Sequence, residues 1–363
     1  MDDEFIEVSN PGALAGGFDF SDDEGEGIYD TLDMIIYDLD EPENVKFTDK
    51  LDFKTDEKSG KRMLSEFKIL DEIGDGSFST VKKIKSTIDG AEYSLKIYNK
   101  LYLQGQRVVD HDTGALSNLL KRAARELGIW IHLDHPNVAK LYEVYEEFGK
   151  QYLYLRGEIG HLGQVSEFNP NTRVIELNKI VLDRYKEKKF ISSTPAVIKD
   201  IFSQMLCGVQ YFFKAGYAHR DIKLENLVIN NDLKSMWIDF NSAKPYIAGS
   251  KSDTYEGTLH YAAPECIYNL MEGYDPIKAE VWSLGVSLYG LSFGKLPFDL
   301  PKSDDNEYAY EMDLNMKIRD EPLKIDASCP PDLKELLEGM LQKDAYLRWS
   351  LEQIAACQYM QAK

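Results

Sequence analysis

The stretch HRDIKLENLVI, His219–Ile229, crowds Arg220, Asp221, Lys223 and Asn226 together and runs directly into three apolar residues. Charges beside an apolar run are costly unless they pair or meet a ligand. A full set of them, followed by Asp239 in IDFNSAK (Ile238–Lys244), is hard to explain without a bound partner. Upstream, IGDGSFSTV (Ile73–Val81) places Gly74 and Gly76 in a turn, where the missing Cβ lets backbone amides approach an anion. Glycine turns are usually only turns, so this one gains meaning from Lys96 in YSLK, at the end of the next strand. A lysine there needs an acidic partner, and Glu126 in RAARELGIW lies on the helix that follows.

Around these residues the chain changes texture. FKILDEIG, STVKKIKST and AEYSLKIYN alternate with period two between Gly or Asp-Gly breaks, as antiparallel strands do. LLKRAARELGIWIHL has helical period, and YEVYEEF and QYLYLR read as two more strands. AVIKDIFSQMLCGVQYFFKAG repeats apolar residues at three and four until Gly216 stops it, and AEVWSLGVSLYGLSFG is apolar nearly all round, hence a buried helix. A small sheet-rich lobe followed by a larger helical one is the expected α+β architecture.

With 363 residues and 43% hydrophobic content, the chain has enough apolar material for one large core or two modest ones. The net charge of −20 is local, because 15 of the 62 acidic residues and no Lys or Arg precede Lys46. Residues 1–60, with NPGALAGG and SDDEGEG, are expected to be a mostly disordered acidic extension. Within it IYDTLDMIIYDLDEP suits a solvating tail or a segment that folds on a partner or on its own globular part, and Ser21 before DDE resembles an acidophilic kinase site. Cys207, Cys266, Cys329 and Cys357 form no CxxC or metal pattern, so a cytosolic or nuclear protein with reduced thiols is expected. No apolar run reaches bilayer length, the N-terminus lacks a signal-peptide pattern, and short basic clusters such as VKKIK argue against nucleic acid.

HRDIKLENLVI matches the catalytic-loop pattern H-R-D-x-K-x-x-N residue for residue, and with it the sequence resembles the eukaryotic protein kinases. GTLHYAAPE (Gly257–Glu265), EVWSLGV (Glu280–Val286) and Arg348 in AYLRWS extend the resemblance from Phe67 to near the C-terminus. It implies a bilobal protein kinase fold, with an N-lobe over about 67–157 and a C-lobe over about 158–360. It further implies transfer of the γ-phosphate of ATP to Ser or Thr hydroxyls of protein substrates, some of them other kinases. Asn226 and Asp239 would hold Mg2+, Asp221 would take or orient the hydroxyl proton, and Lys223, typical of Ser/Thr kinases, would neutralise the γ-phosphate, with Thr258 steadying both. Lys96 would hold the α and β phosphates with Glu126 behind it. The nucleotide is carried onto Ile73, Gly74, Asp75, Gly76, Ser77, Phe78 and Val81 of the turn, and onto Ser94 and Glu158.

Four positions depart from the pattern. Asn241 stands for a glycine whose use is φ > 0, which Asn enters at a cost of order 1 kcal/mol, and Ser79 stands for a third glycine. Ser94 replaces an alanine over the adenine, where its hydroxyl would crowd or hydrogen-bond, and Glu280 replaces an aspartate that receives catalytic-loop amides. Gly157 falls at the back of the adenine pocket, so the pocket is expected to run deep and admit bulky purine analogues.

Arg220 is placed to meet a phosphate on Thr254 put there by an upstream kinase, or to be satisfied by Asp253 or Glu256 without modification. HLDHPNVAKLYEVYEE, LGQVSEF, the PPDLKELLEGMLQKD region and the insertion around LYLQGQRVVDHDTGALSN look most like the calmodulin-dependent kinase group and its upstream kinase kinases. The chain ends soon after Arg348 without a basic amphipathic helix, so calmodulin is not an expected partner. Two alternatives stay open: a nucleotide-binding pseudokinase that works as a scaffold, and a small-molecule kinase of the same fold, which the peptide-positioning look of GTLHYAAPE weakens.

Overall fold

The computed structural model describes residues 44–362, apart from 77, 110–115, 148, 170–171, 188–192, 269–271 and 302–306. Ser77, Ser21 and the segment IYDTLDMIIYDLDEP lie outside the described residues. The chain divides into two units, one of Met1–Leu133 with Ala139–Ile159, the other of Asp134–Val138 with Gly160–Lys363.

The first unit is built on one eight-stranded sheet. Its strands are β1 (Lys46–Thr48), β2 (Phe53–Thr55), β3 (Arg62–Leu64), β4 (Phe67–Asp75), β5 (Thr80–Ser86), β6 (Glu92–Asn99), then β9 (Leu141–Glu146) and β10 (Tyr152–Gly157). Between β6 and β9 come helix α1 (Lys100–Gly105), the small hairpin β7 (Arg107–Val109) and β8 (Leu116–Asn118), and helix α2 (Leu119–Trp130). The hydrogen-bonded order is β1-β9-β10-β6-β5-β4-β3-β2, antiparallel throughout except for the parallel pair β1–β9. Laid flat, β1 and β2 would stand roughly 34 Å apart at seven strand spacings. The five residues from Thr48 to Phe53 reach at most about 17 Å, so the sheet has to curl until its two edges approach.

Curling gives the sheet an inner face. Leu64, Phe67, Ile84, Leu95, Ile97, Tyr145 and Tyr154 form a buried cluster there, with Leu51 and Phe53 packed against it. Phe53 meets Tyr154 edge to face at 5.5 Å between ring centres. This overturns the extension as drawn to residue 60, because residues 46–48 and 53–55 are strands of the sheet. Lys46 Nζ and Thr48 Oγ1 each donate to Glu143 Oε1 at 2.6 Å, and the Leu51 amide donates to Glu147 Oε2 at 3.0 Å. The charge of the first residues masked a short ordered segment. Period two sends Ser94, Lys96 and Tyr98 to the face opposite Leu95 and Ile97, toward α2. Asn118 caps α2 by accepting from the Lys121 amide at 3.1 Å.

The second unit contains the hairpin β11 (Ser166–Asn169) and β12 (Val174–Leu177), then α3 (Lys179–Glu187) and α4 (Thr194–Lys214). Three pieces follow that matter for the site: β13 (Tyr217–Ala218), the pair β14 (Leu227–Ile229) and β15 (Ser235–Trp237), and β16 (Lys244–Pro245). Helices α5 (Pro264–Tyr268), α6 (Pro276–Phe293), α7 (Glu307–Asp320), α8 (Pro331–Met340), α9 (Leu351–Ala356) and α10 (Gln358–Gln361) complete it. Helix α4 ends where Gly216 turns left-handed at φ 84°, and α6 runs from the Asp275 cap to Gly294 at φ 71°. Helix α6 is buried on nearly every side, as its composition requires.

Candidate active site

In the second unit, two pairs of short strands bring the polar residues together. Leu227 pairs with Trp237 in the β14–β15 hairpin, so Asn226 comes opposite Ile238, with Asp239 the next residue along. The Ile238 amide donates to the Asn226 carbonyl at 3.0 Å and closes that mouth. Ala218 pairs with Lys244 in β13–β16, which draws His219 against Phe240, with 5.5 Å between ring centres. His219 is buried; its Nε2 meets the Ile238 carbonyl at 3.1 Å while its Nδ1 accepts from the Asp221 amide at 3.3 Å. Those two contacts select the neutral ring protonated on Nε2, and burial pulls the imidazole pKa below its usual value.

Asp221 is the hub. Its Oδ1 accepts from the Thr258 hydroxyl at 2.9 Å and the Thr258 amide at 3.1 Å. Lys223 Nζ lies 2.7 Å from Asp221 Oδ2 and donates to Thr258 Oγ1 at 2.8 Å. Asn226 Nδ2 donates to the Asp221 carbonyl at 2.9 Å and to Oδ2 at 3.1 Å, which turns the amide oxygen away from Asp221. Beside Thr258 opens a cavity of about 350 Å3 whose walls include Ile175, Leu224, Glu225 and His260. Arg173 and Tyr261 line it as well, and the Glu225 carboxylate lies beside the Tyr261 phenol.

Asn241 does not take the conformation expected of it. The left-handed residue of this turn is Asp239, at φ 66°, and Asn241 is not among the described non-glycine residues with positive φ. The turn places its strain two residues earlier, so the missing glycine costs nothing in backbone. Asn241 Nδ2 instead donates to Asp239 Oδ1 at 2.5 Å and holds that carboxylate. Arg220 is left-handed as well, at φ 67°, and its amide donates to Glu280 Oε1 at 2.7 Å. Glu280 thus does receive a catalytic-loop amide directly. Its Oε2 has no hydrogen-bond partner among the described residues, and burial pushes its pKa up to about 7.

In the first unit, Gly74 of β4 pairs with Val81 of β5, Val81 with Lys96 of β6, and Lys96 with Leu155 of β10. One row across the sheet therefore sets the glycine turn beside Lys96. The turn is closed by the Gly76 amide donating to the Ser79 carbonyl at 2.8 Å, and a Cβ on Gly76 would sit 3.4 Å from that same oxygen. Asp75, Phe78 and the half-exposed Ile73 flank it. Lys96 Nζ donates to Glu126 Oε1 at 2.5 Å, and Tyr98, fully buried, donates its hydroxyl to Glu126 Oε2. Burial, then the Glu126 charge, holds the Tyr98 phenol far above its ordinary pKa, so it stays a donor. Tyr98 was legible in principle: it lies two residues beyond Lys96 and so shares its face.

Ser94 Oγ donates to the Glu158 carbonyl at 2.9 Å, so it hydrogen-bonds at this wall. The deep pocket expected behind Gly157 is absent. A Cβ built on Gly157 would stand 2.9 Å from both Cη2 and Cζ2 of Trp130 and 3.1 Å from Ser94 Oγ. Trp130 lies one helical turn beyond Glu126 and already fills the space a residue 157 side chain would use.

The protein kinase domain family model matches residues 67–360. The chain belongs to the protein kinase family. The two units are the lobes of its α+β fold, and the family consists of ATP-binding transferases. The kinase's own residues fit ATP and Mg2+. Asp239 and the outward-turned oxygen of Asn226 are hard oxygen donors of the kind Mg2+ takes, and the glycine turn is bare beside a buried, paired Lys96.

Proposed function

We propose that this kinase is an ATP- and Mg2+-dependent Ser/Thr protein kinase, similar to the calmodulin-dependent group and its upstream kinase-activating members. The observation that carries the reading is the triangle of Asp221, Lys223 and Thr258, closed at 2.7–2.9 Å. Asp221, held from three directions, is the residue that would take or orient the proton of an incoming hydroxyl. Lys223 brings a cation to the oxygens of the transferring phosphoryl, where charge neutralisation matters more than covalent chemistry. Lys96, fixed by Glu126 and Tyr98, takes the α and β phosphates. Asn226 and Asp239 would hold Mg2+, which would supply charge neutralisation to the phosphates when bound.

The test is transfer of label from γ-labelled ATP with Mg2+ to an arrayed peptide library, followed by phosphoamino-acid identification. Label on Ser or Thr, reduced about 10²-fold or more in Asp221→Asn, is the expected result. Nucleotide binding without transfer under any condition would leave a scaffold.

Activation is read in the same way. Arg220 donates through Nη2 to the carbonyl of Thr254 and to its hydroxyl at 3.1 Å, while Nε and Nη1 are buried with no hydrogen-bond partner among the described residues. Lys244 Nζ reaches the same hydroxyl at 3.2 Å. Two cations around one hydroxyl suit a phosphate on Thr254 added by an upstream kinase. Thr254→Ala is expected to lose most of the activity gained on treatment with such a kinase; unchanged activation would discard the site. All four cysteines are free, in keeping with a cytosolic or nuclear protein, and among the described residues no helix is long and apolar enough to cross a membrane.

A further inference from the structure

We propose that Trp130, not residue 157, sets the depth of the nucleotide-base pocket, and that the pocket rejects purines extended at the edge facing Gly157. The inference rests on the nucleotide reading of the first unit and adds a specificity-determining residue to it. Ser94 lies two residues before Lys96 on the same face of β6 and pairs with Gly157. A nucleotide whose phosphates meet Lys96 therefore has its base toward Ser94, Gly157 and Glu158, at the wall that Trp130 closes.

That wall does not yield easily. Trp130 Nε1 donates to the Ala139 carbonyl at 2.6 Å, and the side chain is 6% exposed. The ring edge over Gly157 is thus anchored at its nitrogen and packed on its faces, so moving it breaks a buried hydrogen bond. Glycine at 157 follows as a requirement of the tryptophan: any Cβ there would collide with the ring. Because Glu126 and Trp130 share one face of α2, a ligand that forced the indole outward would also pull on the Lys96–Glu126 pair. Extended purines should then bind only at the expense of the contact that prepares Lys96 for phosphate.

The experiment is isothermal titration of the full chain with Mg2+-ADP and with N6-benzyl-ADP. Wild type is expected to bind N6-benzyl-ADP about 10-fold or more less tightly than ADP, a discrimination in the range a filled apolar pocket gives. Trp130→Leu is expected to bring the two within about 3-fold by widening the wall. Trp130→Phe serves as the milder variant, with thermal melting to verify folding, and Gly157→Leu is expected to lower the melting temperature in wild type but less in Trp130→Leu. Equal binding of both ligands by wild type overturns the inference alone. Failure of wild type to bind ADP overturns the nucleotide reading and this inference with it.

Discussion

Asn241 illustrates how a residue can be read correctly as unusual and wrongly as to what it does. Residue type suggests a left-handed turn position, but φ belongs to the whole turn, and here the left-handed residue is Asp239. What Asn241 supplies is an amide hydrogen bond to the Asp239 carboxylate at 2.5 Å. Asn241→Gly relieves no strain and removes one charge-assisted hydrogen bond. The half-saturating Mg2+ concentration for ADP binding is expected to rise about 5- to 10-fold, equivalent to about 1–1.5 kcal/mol. Tighter Mg2+ binding in the variant would show that the amide competes with the cation. Gly157 carries the complementary lesson: a missing side chain read along the chain is a missing volume, whereas the neighbour that fills it comes from a helix remote in sequence. The charged residues Asp221, Lys223, Lys96 and Glu126, and the amide of Asn226, were legible because each needs its partner, and spacing names the partner.

At the scale of elements, long periodic segments announce themselves and short ones do not. The nine residues of β4 and the 21 of α4 carry enough repeats to reveal period two and the three-four pattern. The three-residue strands β1 and β2 carry one repeat at most, and their sequence runs on from an acidic stretch, so nothing local separates them from a tail. Their place is set by remote partners, Glu143 and the aromatic face at Tyr154. A truncation therefore has to respect them. Removing residues 1–43 is expected to leave the melting temperature within a degree or two. Removing residues 1–60 takes away Leu51 and Phe53 as well, each half-buried side chain worth about 1–2 kcal/mol, and is expected to lower stability measurably. Equal melting temperatures for the two truncations would show β1 and β2 to be ornamental.

For the whole molecule, Glu280 ties stability to pH. Its carboxyl is buried on α6 with a pKa of about 7 against an ordinary 4.5. A raised carboxyl favours the folded state fully only below its unfolded value, and that contribution is lost as pH climbs through the folded value. Between pH 5 and 8 the loss amounts to about 2–3 kcal/mol. Glu280→Gln keeps an acceptor for the Arg220 amide without the charge, so its stability relative to wild type is expected to improve steadily across that range in denaturant titrations. Parallel pH profiles for the two proteins would mean that Glu280 is solvated after all.

The parallel pair at the sheet edge has a consequence for how the protein is made. Lys46 emerges from the ribosome early, but its partner Glu143 lies 97 residues further on. At about 5–20 residues per second, several seconds pass before β9 exists to receive β1. During that interval β1 lacks the strand it pairs with. Codon choice or chaperone occupancy over residues 46–146 thus acts on the yield of this lobe, whatever its final stability.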